Sequence, residues 1–153
     1  MKILIDADNC SRKIRDIILR ASERLGVKSV FVANTQLEIS SSPYTKIIKV
    51  DPGRNGADSK ILSIVEKGDI VITADIPFAS IALEKKAVVI NPRGDHYTKE
   101  KIKERLSMRN FISNLRDKGL DVSSNKMSKI NSVKRFSEIF DRELTKAVKL
   151  YGK

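Results

Sequence analysis

At 153 residues and 41% apolar side chains, the chain has the size and composition to bury the core of one domain, which excludes a disordered polymer. No apolar run approaches the length that crosses a bilayer, the run Ile3–Ile5 is too short for a signal peptide, and the lone Cys10 excludes a disulfide framework or a cysteine-based zinc site. The simplest compartment is the cytoplasm. The +11 net charge is uneven, with fifteen Lys/Arg against twelve Asp/Glu over residues 1–97 and fifteen against seven over residues 98–153. That field points to a polyanion, nucleic acid first, or to nothing more than a solvated basic surface.

Along the chain, Lys2–Ile5 is a first short apolar run. Ile14, Ile17, Ile18, Ala21 and Leu25 then fall on one face of a helix, closed by Gly26. Ser29–Ala33 and Lys46–Val50 predict two further strands. Ile61, Leu62, Ile64 and Val65 mark a helix ended by Gly68, and Asp69–Thr73 predicts the next strand. A short helix starts near Pro77, which suits a first turn, and Ala87–Ile90 predicts the last strand. Thr98 is the expected N-cap of a basic helix through Ile102 and Leu106, with a break near Ser107. A further helical segment carries Met108, Phe111, Ile112 and Leu115. Gly119–Asn131 reads as a polar loop, and Val133, Phe136, Ile139, Phe140 and Leu144 form the stripe of a final amphipathic helix. The β-α-β rhythm with short, β-branched, continuous strands predicts a three-layer α/β fold. It has a central, mainly parallel sheet of about five strands, helices on both faces and a helical carboxy-terminal third. Residues 1–97 form the α/β core, and residues 98–153 a basic helical extension packed on it.

In open parallel sheets ligands gather beyond the carboxyl ends of the strands. Asp6 and Asp8 fall past the first strand, Asp58 at the opening of a helix, and Asp75 past the fourth strand, with Asn34 and Asn91 ending the second and fifth. Grouped carboxylates repel unless a cation neutralises them, and oxygen-only ligands suit Mg²⁺ or Mn²⁺. Such an ion can hold and polarise a phosphate and activate water. Each acid also fits a structural role. Asp75 suits a helix N-cap, Asp58 a helix dipole, and Asp8 with Asn9 a cap for the first helix; Asp6 alone has no such role. Arg93 follows the fifth strand, where a guanidinium can face phosphate. Cys10 reads as packing and His96 as an ordinary surface histidine on a loop.

The stretches Asp6-Ala7-Asp8, Phe31-Val32-Ala33-Asn34, the run from Gly68 to Pro77, Asn91-Pro92-Arg93-Gly94 and the run from Arg105 to Phe111 resemble the bacterial YaiI/YqxD family (UPF0178). The resemblance extends to Asp141-Arg142. That family is in turn similar to PIN-like and NYN nuclease domains, which implies a PIN-like fold with Asp6, Asp58 and Asp75 in catalytic positions. Three departures are visible. Ser11 stands where relatives have proline, Ser59 follows Asp58 where some carry another acid, and Pro77-Phe78 keeps an aromatic but lacks the extra NYN acid.

The expected function is therefore divalent-metal-dependent phosphodiester hydrolysis on RNA. Asp6, Asp58 and Asp75 are the catalytic acids, and Asp6, Asp8, Asp58 and Asp75 the metal ligands. Asn34, Asn91, Arg93, Arg105 and Arg109 are expected substrate contacts, with Tyr44 and Tyr97 the nearest rings for base stacking. Two alternatives stand beside it. One is a phosphohydrolase of the haloacid-dehalogenase kind built on Asp6-Ala7-Asp8, although Asp69 and Asp75 lie at opposite strand ends. The other is a nucleic-acid-binding protein without turnover.

Overall fold

The computed structural model describes residues 1–39, 42–51, 56–107 and 128–151. Strand β1 (Ile3–Asp6) passes through a 3-10 turn, Ala7–Asn9, into helix α1 (Arg12–Leu25). Strands β2 (Ser29–Ala33) and β3 (Thr45–Lys49) follow, then α2 (Ala57–Ile64), β4 (Ile70–Ile72), α3 (Ile76–Glu84), β5 (Val88–Ile90) and β6 (His96–Tyr97). Helix α4 covers residues 99–107, and α5 is Ser128–Tyr151.

Among the described residues the strands form one sheet in the order β3-β2-β1-β4-β5-β6. Every neighbouring pair is parallel except β5 with β6. The direction of winding reverses between β1 and β4, so α1 leaves toward one face and α3 toward the other. At such a switch point the two diverging helices open a crevice at the carboxyl edge. Asp6, the last residue of β1, stands at that edge.

Two apolar clusters make this a three-layer α/β fold. One face of the sheet packs Ile3, Ile5, Phe31, Ile70 and Ile72 against Ile14 and Ile18 of α1 and Phe136, Phe140 and Leu144 of α5. The other packs Leu4, Val30, Val71 and Val89 against Ile61 of α2, Phe78 and Ala82 of α3 and Ile102 of α4. Continuous β-branched strands follow from this, since both faces of each central strand are covered. The stacked Phe136 and Phe140 rings, 5.3 Å apart, seat α5 in the same core as β1.

Local signals act as expected at several points. Gly26 closes α1 at φ 65°, and Thr98 caps α4 by accepting from Lys101 N–H at 3.2 Å. Three expectations need correcting. β6 is a sixth, antiparallel strand where the sequence predicts a loop, because the chain folds back on β5 through the turn Asn91–Asp95. There Asn91 N–H donates to Asp95 C=O and Gly94 N–H to Asn91 C=O. The last helix begins at Ser128, so residues 128–131 are helical rather than loop. Ser11, not Asp8 or Asn9, caps α1, its hydroxyl accepting from Ile14 N–H at 3.4 Å. The segment with Met108, Phe111, Ile112 and Leu115, and loop residues 119–127, lie outside the described residues.

Candidate functional site

Asp6 is the centre of the carboxyl edge. It ends the central strand, in register with Val32 of β2, and is only 7% exposed. Asn9 Nδ2 donates to its Oδ2 at 2.8 Å and Thr73 Oγ1 donates to the same oxygen at 3.2 Å. Oδ1 accepts no hydrogen bond from the described residues. Burial raises the Asp6 pKa above its ordinary value, the bonds from Asn9 and Thr73 oppose that rise, and the charges of Asp8 and Asp58 add to it. Among the described residues no lysine or arginine is a cause of its shift.

The other three aspartates surround it differently. Asp8 is exposed, and both its oxygens are engaged: Oδ2 accepts from Asn34 N–H at 2.8 Å and Oδ1 from Thr35 Oγ1 at 2.9 Å. It ties the start of the β2–β3 connection to the turn after β1. Asp58 lies in the first turn of α2, exposed, with Oδ1 accepting from the adjacent Ser59 N–H at 2.9 Å. Asp75 is the N-cap of α3, its Oδ1 accepting from Phe78 N–H at 3.0 Å. Its own N–H donates to Thr73 Oγ1 at 3.1 Å, so Thr73 links Asp75 to Asp6. The four acids share one rim, but among the described residues no three carboxylate, imidazole or thiol groups stand close enough to hold one ion. The capping of α3 by Asp75 and the clasp on Asp8 draw those two side chains to other partners.

The expected substrate contacts also separate. Asn34 is exposed at the rim. Asn91 is buried, its Nδ2 donating to the Tyr97 hydroxyl and its Oδ1 accepting from Arg93 N–H at 2.7 Å, which shapes the turn. Arg93 is exposed. Arg105 is ion-paired with Asp95 at 2.6 Å, and Arg135 of α5 reaches the other oxygen of that carboxylate at 2.9 Å. Arg109 lies outside the described residues. Neither ring suits base stacking: Tyr97 is 2% exposed, and Tyr44 sits beside Gly26 at the opposite edge of the sheet.

Cys10 is buried and its thiol is pushed up to about 12, by burial first and then by the Asp6 charge, so it packs as an inert thiol. His96 lies in a strand rather than on a loop. It is half-buried in β6 with Nδ1 3.3 Å from Oε1 of the buried Glu143, and burial lowers its pKa while Glu143 opposes. Gly94 has a role that no sequence signal announced. At φ 94° a Cβ would lie 2.6 Å from Arg135 Cβ and from Phe136 N, so only glycine lets the turn after β5 touch the backbone of α5. Thr73 and Asn9 were likewise missed as partners of Asp6. A threonine at a strand end reads as a strand former, and its second role appears only when β4 is set beside β1.

Comparison with known proteins gives a consistent answer. The family described as "Uncharacterized BCR, YaiI/YqxD family" matches residues 4–146. The chain is similar to a UPF0178 protein of Syntrophobacter fumaroxidans, 41% identical over 152 residues and 99% of each chain. It is also similar to UPF0178 proteins of Myxococcus xanthus and Citrifermentans bemidjiense, 41% and 44% identical over 149 residues and 97% of each chain. No solved structure matches. No helix among the described residues is long and apolar enough to cross a membrane.

Proposed function

The chain belongs to the YaiI/YqxD family, and from the geometry of its carboxyl edge we propose that it is a divalent-metal-dependent nuclease of PIN-like type acting on RNA. One observation carries this: Asp6 is a buried carboxylate with two more acids nearby and, among the described residues, no donor to one of its oxygens and no cation to balance the charge. Such an arrangement is unfavourable in isolation and becomes favourable once a cation arrives. The donor set is oxygen-only, which suits a hard cation. Among the described residues no three protein ligands converge, a donor set compatible with an ion such as Mg²⁺, which binds through one or two carboxylates and keeps most of its water.

In this scheme Asp6 is the main ligand, with Asp8 and Asp58 supplying further negative charge. When bound, Mg²⁺ or Mn²⁺ would polarise a phosphoryl oxygen and lower the pKa of an attacking water. Thr73 and Asn9 hold Asp6 in one rotamer through Oδ2, leaving Oδ1 to face the ligand. Asp75 fixes the start of α3 and, through its N–H, the Thr73 hydroxyl, so it acts as a positioning residue. Asp8 holds Asn34 at the rim.

The test is incubation of the purified protein with single-stranded RNA, single-stranded DNA and p-nitrophenyl phosphate, with and without Mn²⁺, beside Asp6→Asn. Removing outer partners of metal ligands typically costs about 10–100-fold, so loss of the main ligand should lower RNA cleavage by more than about 100-fold. Monoester release with a trapped aspartyl-phosphate would instead indicate a phosphohydrolase of the haloacid-dehalogenase kind. A second reading, nucleic-acid binding without turnover, is favoured by the engagement of both Asp8 oxygens, which weakens the ligand set. RNA retention at a metal-insensitive affinity with no cleavage would select it.

A further inference from the structure

A groove of about 830 Å³ runs from the edge of the Asp6 centre along α1 to the first turns of α5. Its apolar floor includes Ile14, Ile17 and Val133, and its rim carries Lys13 of α1, Arg93 of the β5–β6 turn and Lys134 of α5. Three elements distant in sequence therefore each contribute one cation to a single channel. Among the described residues its lining holds no carboxylate and no aromatic ring, and none of the three cations has an acidic partner. The contrast with nearby cations is informative, because Arg105 and Arg135 close on Asp95, and Arg142 and Lys146 approach Glu143. Three uncompensated cations over an apolar floor create a positive field that a polyanion with apolar faces would complement.

The Asn9 side chain joins the groove to the candidate site. Asn9 is one of the groove's lining residues, and Asn9 Nδ2 donates to Asp6 Oδ2. We infer that this groove seats a single-stranded stretch of nucleic acid, with its phosphates on Lys13, Arg93 and Lys134 and its base faces against the aliphatic floor, leading the chain to Asp6. The inference rests on the nucleic-acid reading of the Asp6 centre and adds the path by which the strand reaches it. A duplex keeps its base faces stacked inside and cannot lay them on the floor, so a single strand is the form that fits. Contacts to phosphate and to aliphatic carbons carry no base identity, so binding is expected to be indifferent to sequence.

The test is fluorescence anisotropy with a labelled single strand of about 20 nucleotides, its duplex and an oligoglutamate of equal charge, across a salt series. The protein is Asp6→Asn, so that cleavage does not interfere. Against that background, Lys13→Ala/Arg93→Ala/Lys134→Ala is compared with Lys28→Ala/Lys67→Ala/Lys85→Ala, which removes the same charge from the opposite edge. Each lost single-strand phosphate contact flattens the plot of log affinity against log salt by about 0.7, so the groove triple should flatten it by about 2. The control triple should leave most of the slope. Equal slopes for both triples, tighter binding of the duplex, or equal binding of oligoglutamate would each overturn the inference. If the wild type cleaves RNA and the groove triple cleaves with unchanged KM, the path is refuted while the catalytic proposal stands. A flattened slope in a protein that cleaves nothing leaves the path standing and removes the catalysis.

Discussion

Two aspartates on opposite edges of the same sheet separate a carboxylate held by a cation from the one proposed as a metal ligand. Asp69 stands at the amino edge before β4 and is 1% exposed, and Asp6 at the carboxyl edge of β1 is 7% exposed. Their burial is nearly the same, but their partners are not. Asp69 Oδ1 accepts from Lys2 N–H at 3.0 Å, and its Oδ2 accepts from Lys2 Nζ at 2.7 Å and from Glu66 N–H at 2.8 Å. Both oxygens are used and the charge is balanced by an ammonium. Asp6 receives two neutral donors on one oxygen, and its charged neighbours Asp8 and Asp58 are also acids. Burial alone therefore does not mark a site. A buried carboxylate with no cation beside it among the described residues is what makes Asp6 the candidate.

The largest effect expected from this contrast is on Asp69. Asp69→Asn turns one acceptor oxygen into a donor facing the donors of Lys2 or Glu66 and removes the charge that balances Lys2. We expect a loss of about 3 kcal/mol. At about 2–4 °C per kcal/mol for a chain of this size, Tm in calorimetry should fall by roughly 6–12 °C. An unchanged Tm would erase the distinction between the edges.

The same substitution at Asp6 should act in the opposite direction and less strongly. An asparagine side chain there would retain an acceptor for Asn9 and Thr73 while removing the unbalanced charge, so without metal Asp6→Asn should be more stable by about 0.5–2 kcal/mol. The pH dependence follows from the direction of the shift. A carboxyl group whose pKa is raised in the fold binds its proton more tightly when folded, so the wild type loses stability as pH rises from the ordinary value of 3.8 through the folded pKa. The stability gain of Asp6→Asn should therefore be full at neutral pH and vanish below about 3.8. A gain that persists in acid would assign it to packing rather than charge.

Much of the frame was legible before the structure. Five strands were marked by short β-branched runs, and α1 and α5 by stripes such as Phe136, Phe140 and Leu144, because apolar periodicity directly reflects which face is buried. The placement of four acids at one rim followed from chain order in a parallel sheet. What escaped depended on register and contact. β6 is only His96–Tyr97, too short for any period to appear, and it exists because the turn at Gly94 folds back on β5. The start of α5 was hidden because Ser and Asn favour turns as readily as first helical turns. The roles of the aspartates separated only once β1, β2 and β4 were aligned. That register gives Asp8 to the end of β2 and sets Thr73 against Asp6. The N-cap role of Asp75 was visible from Ile76-Pro77, but its link to Asp6 through Thr73 was not.

The measurement that tests the uncompensated charge at Asp6 most directly is Mn²⁺ binding followed by electron paramagnetic resonance, with wild type, Asp6→Asn and Asp69→Asn compared below their melting ranges. Wild type and Asp69→Asn should bind Mn²⁺ with similar affinity, and Asp6→Asn should bind it at least about tenfold more weakly. Equal Mn²⁺ affinity in wild type and Asp6→Asn would contradict the account.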